Sequence, residues 1–76
     1  SYRDAKTQLQ QICQRNYGML PEYKLLSSSG PEHNKIFNVE VNVCGQFKSL
    51  GSGKSKKEAE KEAASVALAK YHQENV

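Results

Sequence analysis

Apolar residues recur along the chain with a helical period, then a period of two, then a helical period again. The first stretch has the spacing of one buried helical face, formed by Ala5, Leu9, Ile12 and Cys13. Asp4 is a candidate N-cap for this helix. The helix is predicted to end near Asn16, because Tyr17-Gly18 suits a left-handed C-cap and Pro21 prevents continuation.

Three segments with a period of two follow, and they predict a β meander. The strands are predicted at 22 to about 28, 36–43 and 47 to about 52, with a loop at 28–34 and a tight connection at 44–46. The middle strand has an apolar face, with Phe37, Val39, Val41 and Val43, and a polar face, with Asn38, Glu40 and Asn42. In the first strand one face is predicted to hold Tyr23, Leu25 and Ser27, and the other Leu26.

The last segment predicts a helix that begins at Ser55 and runs to about Tyr71 or His72. Ser55 and Glu58 have the spacing of a capping box, in which each side chain satisfies a backbone N–H of the first turn. One face is predicted to hold Ala59, Ala63, Val66, Ala67 and Tyr71. Because three of these are alanines, we expect the helix to lie close on the sheet.

The element order predicts an α+β fold, α-β-β-β-α. Both helices are expected on one face of a three-stranded antiparallel sheet, whose other face stays in water. The 76 residues suffice for a single domain, 1–76, with frayed termini at 1–3 and 73–76. A chain of this size is not expected to form a deep catalytic cleft.

Charge is concentrated at one place. The net charge is only +3, but the segment from Lys48 to Lys57 contains four lysines and no acid. Lys54, Lys56 and Lys57 flank the predicted helix start, where unpaired N–H groups and the positive end of the helix dipole favour anions. Phosphate is the favoured ligand. A solvated charged helix is the alternative on these residues alone.

Other residues limit the classes of site. Cys13, Cys44, His33 and His72 lack zinc-ligand spacing, so no metal site is predicted. Both cysteines are expected as reduced thiols in the cytoplasm, although the sequence leaves a disulfide between them open. No apolar run approaches the about 18 residues of a membrane span. Neither a membrane nor a small-molecule substrate is expected as a partner.

Two further polar groups are weak candidates for binding. The polar face of the first helix holds Lys6, Thr7, Gln10, Gln11, Gln14 and Arg15. Gln10 and Gln14 are four residues apart and face the same way. His33 lies at the tip of the 28–34 loop. Taken alone, each group is better explained by ordinary solvation.

The chain resembles the double-stranded RNA-binding domain over nearly its whole length. The similarity is carried by Gly51, Gly53, Ser55, Lys56, Lys57, Ala59, Ala63, Ala64, Ala67 and Leu68, by the Gly30-Pro31-x-His33 loop, and by Pro21-x-Tyr23. Within that family it looks most like the C-terminal domain of bacterial-type ribonuclease III. The stretches that resemble that domain are residues 4–10, 30–35 and 53–60.

The resemblance implies sequence-independent binding of A-form RNA through 2′-hydroxyl and phosphate contacts. It implies three contact regions: Thr7, Gln10 and Gln14; Pro31 and His33; and Lys54, Lys56 and Lys57. Glu60 stands where the wider family often has a third lysine, so a contact there is left open, and Lys61 is the neighbouring candidate.

The ribonuclease III resemblance implies an RNA-gripping domain without catalytic residues or a cofactor of its own. The parent chain would be an Mg²⁺-dependent, double-strand-specific endoribonuclease, with the metal held in a separate nuclease domain before Ser1. Any homodimerisation would run through that domain. The rival interpretations are a protein-interaction or dimerisation module of the same fold, or the RNA-binding domain of a non-nuclease RNA-processing protein. The sequence leaves the parent and its natural RNA open.

Overall fold

The computed structural model describes residues 4–75 and confirms the predicted fold class and element order. The elements are α1 (Ala5–Tyr17), β1 (Glu22–Ser29), a 3-10 turn (Glu32–Asn34), β2 (Ile36–Val43), β3 (Phe47–Gly53) and α2 (Lys56–Glu74). The helix α2 continues at least two residues beyond its predicted end. Residues 1–3 and Val76, which were predicted to fray, lie outside the described part of the chain.

The ends of α1 depend on two different interactions. Gly18 adopts the left-handed conformation, with φ 64°, and its N–H donates to the Gln14 carbonyl at 3.0 Å, as predicted. Asp4 occupies the N-cap position, but its carboxylate caps no backbone N–H. It accepts instead from the Thr7 hydroxyl at 3.0 Å. The predicted capping role of the Asp4 side chain is therefore wrong, because the short Thr7 side chain takes up that carboxylate.

The sheet is antiparallel throughout, in the order β1-β2-β3. A β-bulge interrupts β1: Leu25 pairs with Val39, whereas Ser27 pairs with Asn38. The extra residue moves Ser27 to the water-facing side, where its hydroxyl accepts from the Asn38 amide at 3.1 Å. The prediction that Ser27 shares a face with Leu25 is therefore wrong.

The core lies between the sheet and the helices. Its buried members are Leu9, Ile12 and Cys13 of α1, Val39, Val41, Val43 and Cys44 of β2 and the following turn, and Ala59, Ala63, Ala64, Ala67 and Leu68 of α2. Val66 was predicted to face the sheet but is 45% exposed. The buried arc of α2 instead turns toward Ala64 and Leu68, because α1 covers the helix on that side.

The approach of α2 to the sheet is closest at Gly51 of β3. A Cβ on Gly51 would lie 2.5 Å from the Ala59 carbonyl oxygen and would also overlap the Ala63 nitrogen. Gly53, two residues on, faces Ala59 in the same way. The sequence predicted a strand that ends at about residue 52, whereas β3 also includes Gly53; the lack of a side chain at both glycines admits the helix backbone.

The two helices run parallel, with matching ends together. Near the start of each, Lys6 Nζ pairs with Glu60 Oε1 at 2.6 Å. Near the end of each, the Asn16 amide donates to the Tyr71 hydroxyl at 3.0 Å. The partners are separated by 54 and 55 residues, so α1 and α2 keep one register along their shared length.

The two cysteines are free thiols buried in the core. Burial, and secondarily the neighbouring Cys44 thiol, raises the pKa of Cys13 from 9.0 to about 12. Cys13 therefore carries almost no thiolate at neutral pH, and both side chains act here as small apolar groups. Neither helix within residues 4–75 combines the length and apolarity that a membrane crossing requires.

Replacing Gly51 by alanine should lower the free energy of unfolding by about 3 kcal/mol or more, because the new methyl group overlaps the α2 backbone. Urea denaturation measures the change. Gly18→Ala is the matched control: Gly18 has open space around it and should cost only about 1 kcal/mol for its left-handed conformation. Equal losses at both sites would contradict the close-approach argument.

Candidate nucleic-acid interface

The lysine cluster, defined as Lys54, Lys56, Lys57 and Lys61, surrounds the start of α2. Only Lys54 and Ser55 separate β3 from the helix, so the sheet fixes where the helix begins. The Ser55 hydroxyl accepts from the Glu58 N–H at 3.1 Å, which confirms one half of the predicted capping box. The reciprocal bond from the Ser55 N–H to Glu58 does not form within the described chain.

All members of the lysine cluster are exposed, and none forms an ion pair with a residue in 4–75. Two nearby acids of α2 are used internally. The Glu62 carboxylate accepts from the Ser52 N–H at 2.7 Å, and Glu60 pairs with Lys6. The cluster therefore keeps its positive charge available to an external anion, while the negative charges of Glu60 and Glu62 are engaged by other residues of the fold.

The polar face of α1 lies beside one end of the cluster. Thr7, Gln10 and Gln14 are all exposed, as the sequence predicted for a binding face. A shallow depression of about 390 Å³ joins the start of α1 to α2, and it is lined by Asp4, Ala5, Lys57, Lys61 and Ser65. Lys57 and Lys61 thus sit next to the helix that holds the amide groups.

The β1–β2 loop lies beside the other end of the cluster. Pro31 and His33 are exposed, and the Asn34 N–H donates to the Pro31 carbonyl at 2.9 Å to close the 3-10 turn. A second depression, of about 350 Å³, is lined by Glu32, His33, Asn34, Lys35, Phe37 and Lys54. Lys54 therefore adjoins the histidine loop.

The structure brings the predicted residues into three adjoining groups. Lys57 and Lys61 border α1, Lys54 borders the His33 loop, and Lys56 lies between them in sequence at the first turn of α2. The lysine cluster thus links the two other groups. Contact of any of these residues with a ligand remains a prediction.

Sequence reasoning missed the role of Lys6, which it placed on the solvated face of α1. Lys6 is only 34% exposed, bonds Glu60, and lies over the Tyr23 ring at 5.0 Å from its centroid. Position 60, left open above, is thus occupied by an internal ion pair. No local signal reveals this, because the partners are 54 residues apart.

The Tyr23 hydroxyl is buried beside this pair without a hydrogen-bond partner among residues 4–75. Burial raises the pKa of Tyr23 from 10.0 to about 12, and the nearby Glu60 carboxylate adds to the rise. Within the same residues, no group of three or more His, Cys, Asp or Glu side chains could hold a metal ion.

Comparison with known proteins identifies the family. A family model described as the double-stranded RNA binding motif matches residues 5–71. The chain belongs to the double-stranded RNA binding motif family. This confirms the resemblance given above and makes the domain a double-stranded RNA-binding module.

Relatives of this RNA-binding domain include Ribonuclease 3 of three bacteria. The protein of Wolinella succinogenes is 49% identical over 71 residues, which is 93% of this chain and 30% of that protein. Those of Listeria monocytogenes and Borreliella afzelii are each 51% identical over 67 residues, 88% of this chain and 29% and 27% of theirs. The chain thus spans less than a third of these relatives.

The raised pKa of Tyr23 predicts how the stability of this RNA-binding domain changes at alkaline pH. Below pH 10 the phenol is neutral in both states. Between pH 10 and about 12 the unfolded chain loses the proton and the folded chain keeps it, so the free energy of unfolding falls as pH rises. In Tyr23→Phe this fall should be shallower, with little loss of stability at pH 7 because the hydroxyl has no hydrogen-bond partner among residues 4–75. Urea denaturation across that range tests it, and an unchanged slope would contradict it.

Proposed function

We propose that the domain recognises A-form RNA by shape through the polar face of α1, the lysine cluster and the Pro31–His33 loop. The observation that carries the proposal is the exposed lysine cluster, which forms no ion pair with the described part of the chain and is flanked on one side by α1 and on the other by the loop. A surface with this order presents hydrogen-bonding groups at both ends and positive charge between them.

The groove geometry of RNA explains why such an order is useful. The major groove of A-form RNA is too deep and narrow for side chains to read, while the shallow minor groove displays 2′-hydroxyls. Domains of this kind span about 16 bp, and contact two minor grooves and the phosphates of the major groove between them. Thr7, Gln10 and Gln14 supply groups that both donate to and accept from 2′-hydroxyls.

The other two regions complete this arrangement. His33 and the Pro31 backbone are assigned to the second minor groove, and Lys54, Lys56 and Lys57 to the intervening phosphates, with Lys61 as a further contact. Phosphate and sugar contacts carry no base identity, so sequence preference is slight. Neutralising three to five phosphates gives a slope of roughly −2 to −5 for log K against log salt concentration.

We further propose that the domain is the RNA-gripping part of a ribonuclease III-type endonuclease. The support is identity near 50% to three proteins named Ribonuclease 3. Bond cleavage and Mg²⁺ binding are assigned to a separate domain, since residues 4–75 offer no suitable donor set. We assign any homodimerisation to that domain too, and the parent protein to the cytoplasm.

The lysine contacts are tested by the double variant Lys56→Ala/Lys57→Ala. Duplex RNA binding should weaken about tenfold near 0.15 M salt, and the salt slope should become shallower by about 2, because two phosphate contacts are lost. Fluorescence anisotropy at several salt concentrations measures both quantities.

Lys24→Ala/Lys48→Ala is the matched control for this variant. It removes the same charge from the sheet face that points away from the helices, where both lysines are exposed. Its affinity should change little. An equal loss in both double variants would show that overall charge, not the lysine cluster, governs binding.

Recognition by shape predicts a ranking of nucleic acids. Duplex RNA should bind more tightly than duplex DNA, which lacks the 2′-hydroxyl and has different grooves, and more tightly than single-stranded RNA. Competition gel shifts with one labelled RNA duplex and unlabelled competitors of equal length measure the ranking. Equal competition by DNA would contradict the assignment of the α1 and loop regions to minor grooves.

A further inference from the structure

The Lys6–Glu60 pair lies inside the interface between the helices. Its side chains are 34% and 28% exposed, and Lys6 Nζ also faces the Tyr23 ring. Glu60 falls within the arc of α2 defined by Ala59, Ala63, Ala64 and Ala67, all of which are fully buried. A carboxylate at that place requires a partner, and Lys6 of α1 supplies it.

Helix α1 is held mainly through α2, because its principal packing contacts are with that helix, whereas α2 packs on β2 and β3. The α2 side of this contact is rich in alanine. Helices settle into one register when side-chain ridges enter grooves, and alanines form only shallow ridges. A short charge-assisted bond between fixed positions therefore adds directionality near the helix starts, as the Asn16–Tyr71 hydrogen bond does near their ends.

We infer that Glu60 and Lys6 are positioning residues for RNA recognition. The pair fixes the register of α1 on α2, and so sets the distance from Gln10 and Gln14 to the lysine cluster. Neither side chain needs to touch nucleic acid. The inference rests on the proposed function, since a fixed distance matters only if both regions contact the same duplex.

The geometry disfavours the other possible role of Lys6, a direct phosphate contact. Lys6 Nζ is 2.6 Å from a carboxylate oxygen and lies against an aromatic ring, so a phosphate would have to displace both partners. The exposed lysines of the cluster have no such partners within residues 4–75.

Glu60→Gln separates positioning from simple charge effects. Removing a negative charge near the cluster should by itself strengthen binding of every polyanion. Loss of positioning should instead weaken duplex RNA binding about threefold while duplex DNA binding does not weaken. The exchanged pair Lys6→Glu/Glu60→Lys, which keeps net charge, should restore the RNA-to-DNA affinity ratio. Glu22→Gln, an exposed carboxylate on the outer sheet face, is the control for charge.

Two binding outcomes would overturn the inference. One is that Glu60→Gln raises the affinity for duplex RNA and duplex DNA by the same factor. That result is expected if Glu60 acts only through its charge. The other is a loss of affinity for both duplex RNA and duplex DNA in Lys6→Met, with a salt slope shallower by about 1 and an unchanged RNA-to-DNA affinity ratio. That result is expected if Lys6 contacts a phosphate directly. Lys24→Met is the matched control for that variant.

A second measurement keeps this inference separate from the proposed function. If the wild-type domain does not prefer duplex RNA over DNA, the proposed function fails. Hydrogen exchange then tests the pair itself. Backbone amides of α1 should exchange faster in Glu60→Gln than in Glu22→Gln, and the exchanged pair should restore protection. Unchanged protection of α1 would overturn the positioning role whatever the domain binds.

Discussion

The contact of α2 with β3 through Gly51 is the constraint on which the rest of the structure depends. Here a helix and a strand approach with no side chain between them at Gly51, and small alanine side chains continue the contact along α2. Because interiors are packed like crystals, such an approach leaves little freedom of position. The start of α2, and the lysines around it, are therefore located by backbone packing in the core.

The positive charge of the domain depends more on where the charged residues lie than on how many there are. A net charge of +3 is small, yet two of the acids that follow the lysines in α2, Glu60 and Glu62, bond to Lys6 of α1 and to Ser52 of β3. Glu62 satisfies a backbone donor of the edge strand, and Glu60 joins the two helices. These carboxylates stabilise the fold at the places where they would otherwise offset the field of the cluster.

The sequence predicts a feature well when the residues that determine it are close together in the chain. The helix caps at Gly18 and Ser55 and the alternation in β2 depend on near neighbours, so the sequence predicted them. The bulge at Leu26 and the exposure of Val66 depend on how β1 meets β2 and on which side α1 covers α2. The predicted site residues are exposed, but their roles, like the Lys6–Glu60 pair, depend on long-range geometry.

The parallel pairing of α1 with α2 has a consequence for how the domain is made. Within the described residues, α1 packs mainly against α2, and the paired side chains lie more than 50 positions apart in sequence. Short connections join the three strands, so pairing of the strands closes shorter loops than the contact of α1 with α2 does. The spacing of the amide face from the lysine cluster therefore depends on a contact between residues that are distant in sequence, not on local structure. Neither region alone determines that distance.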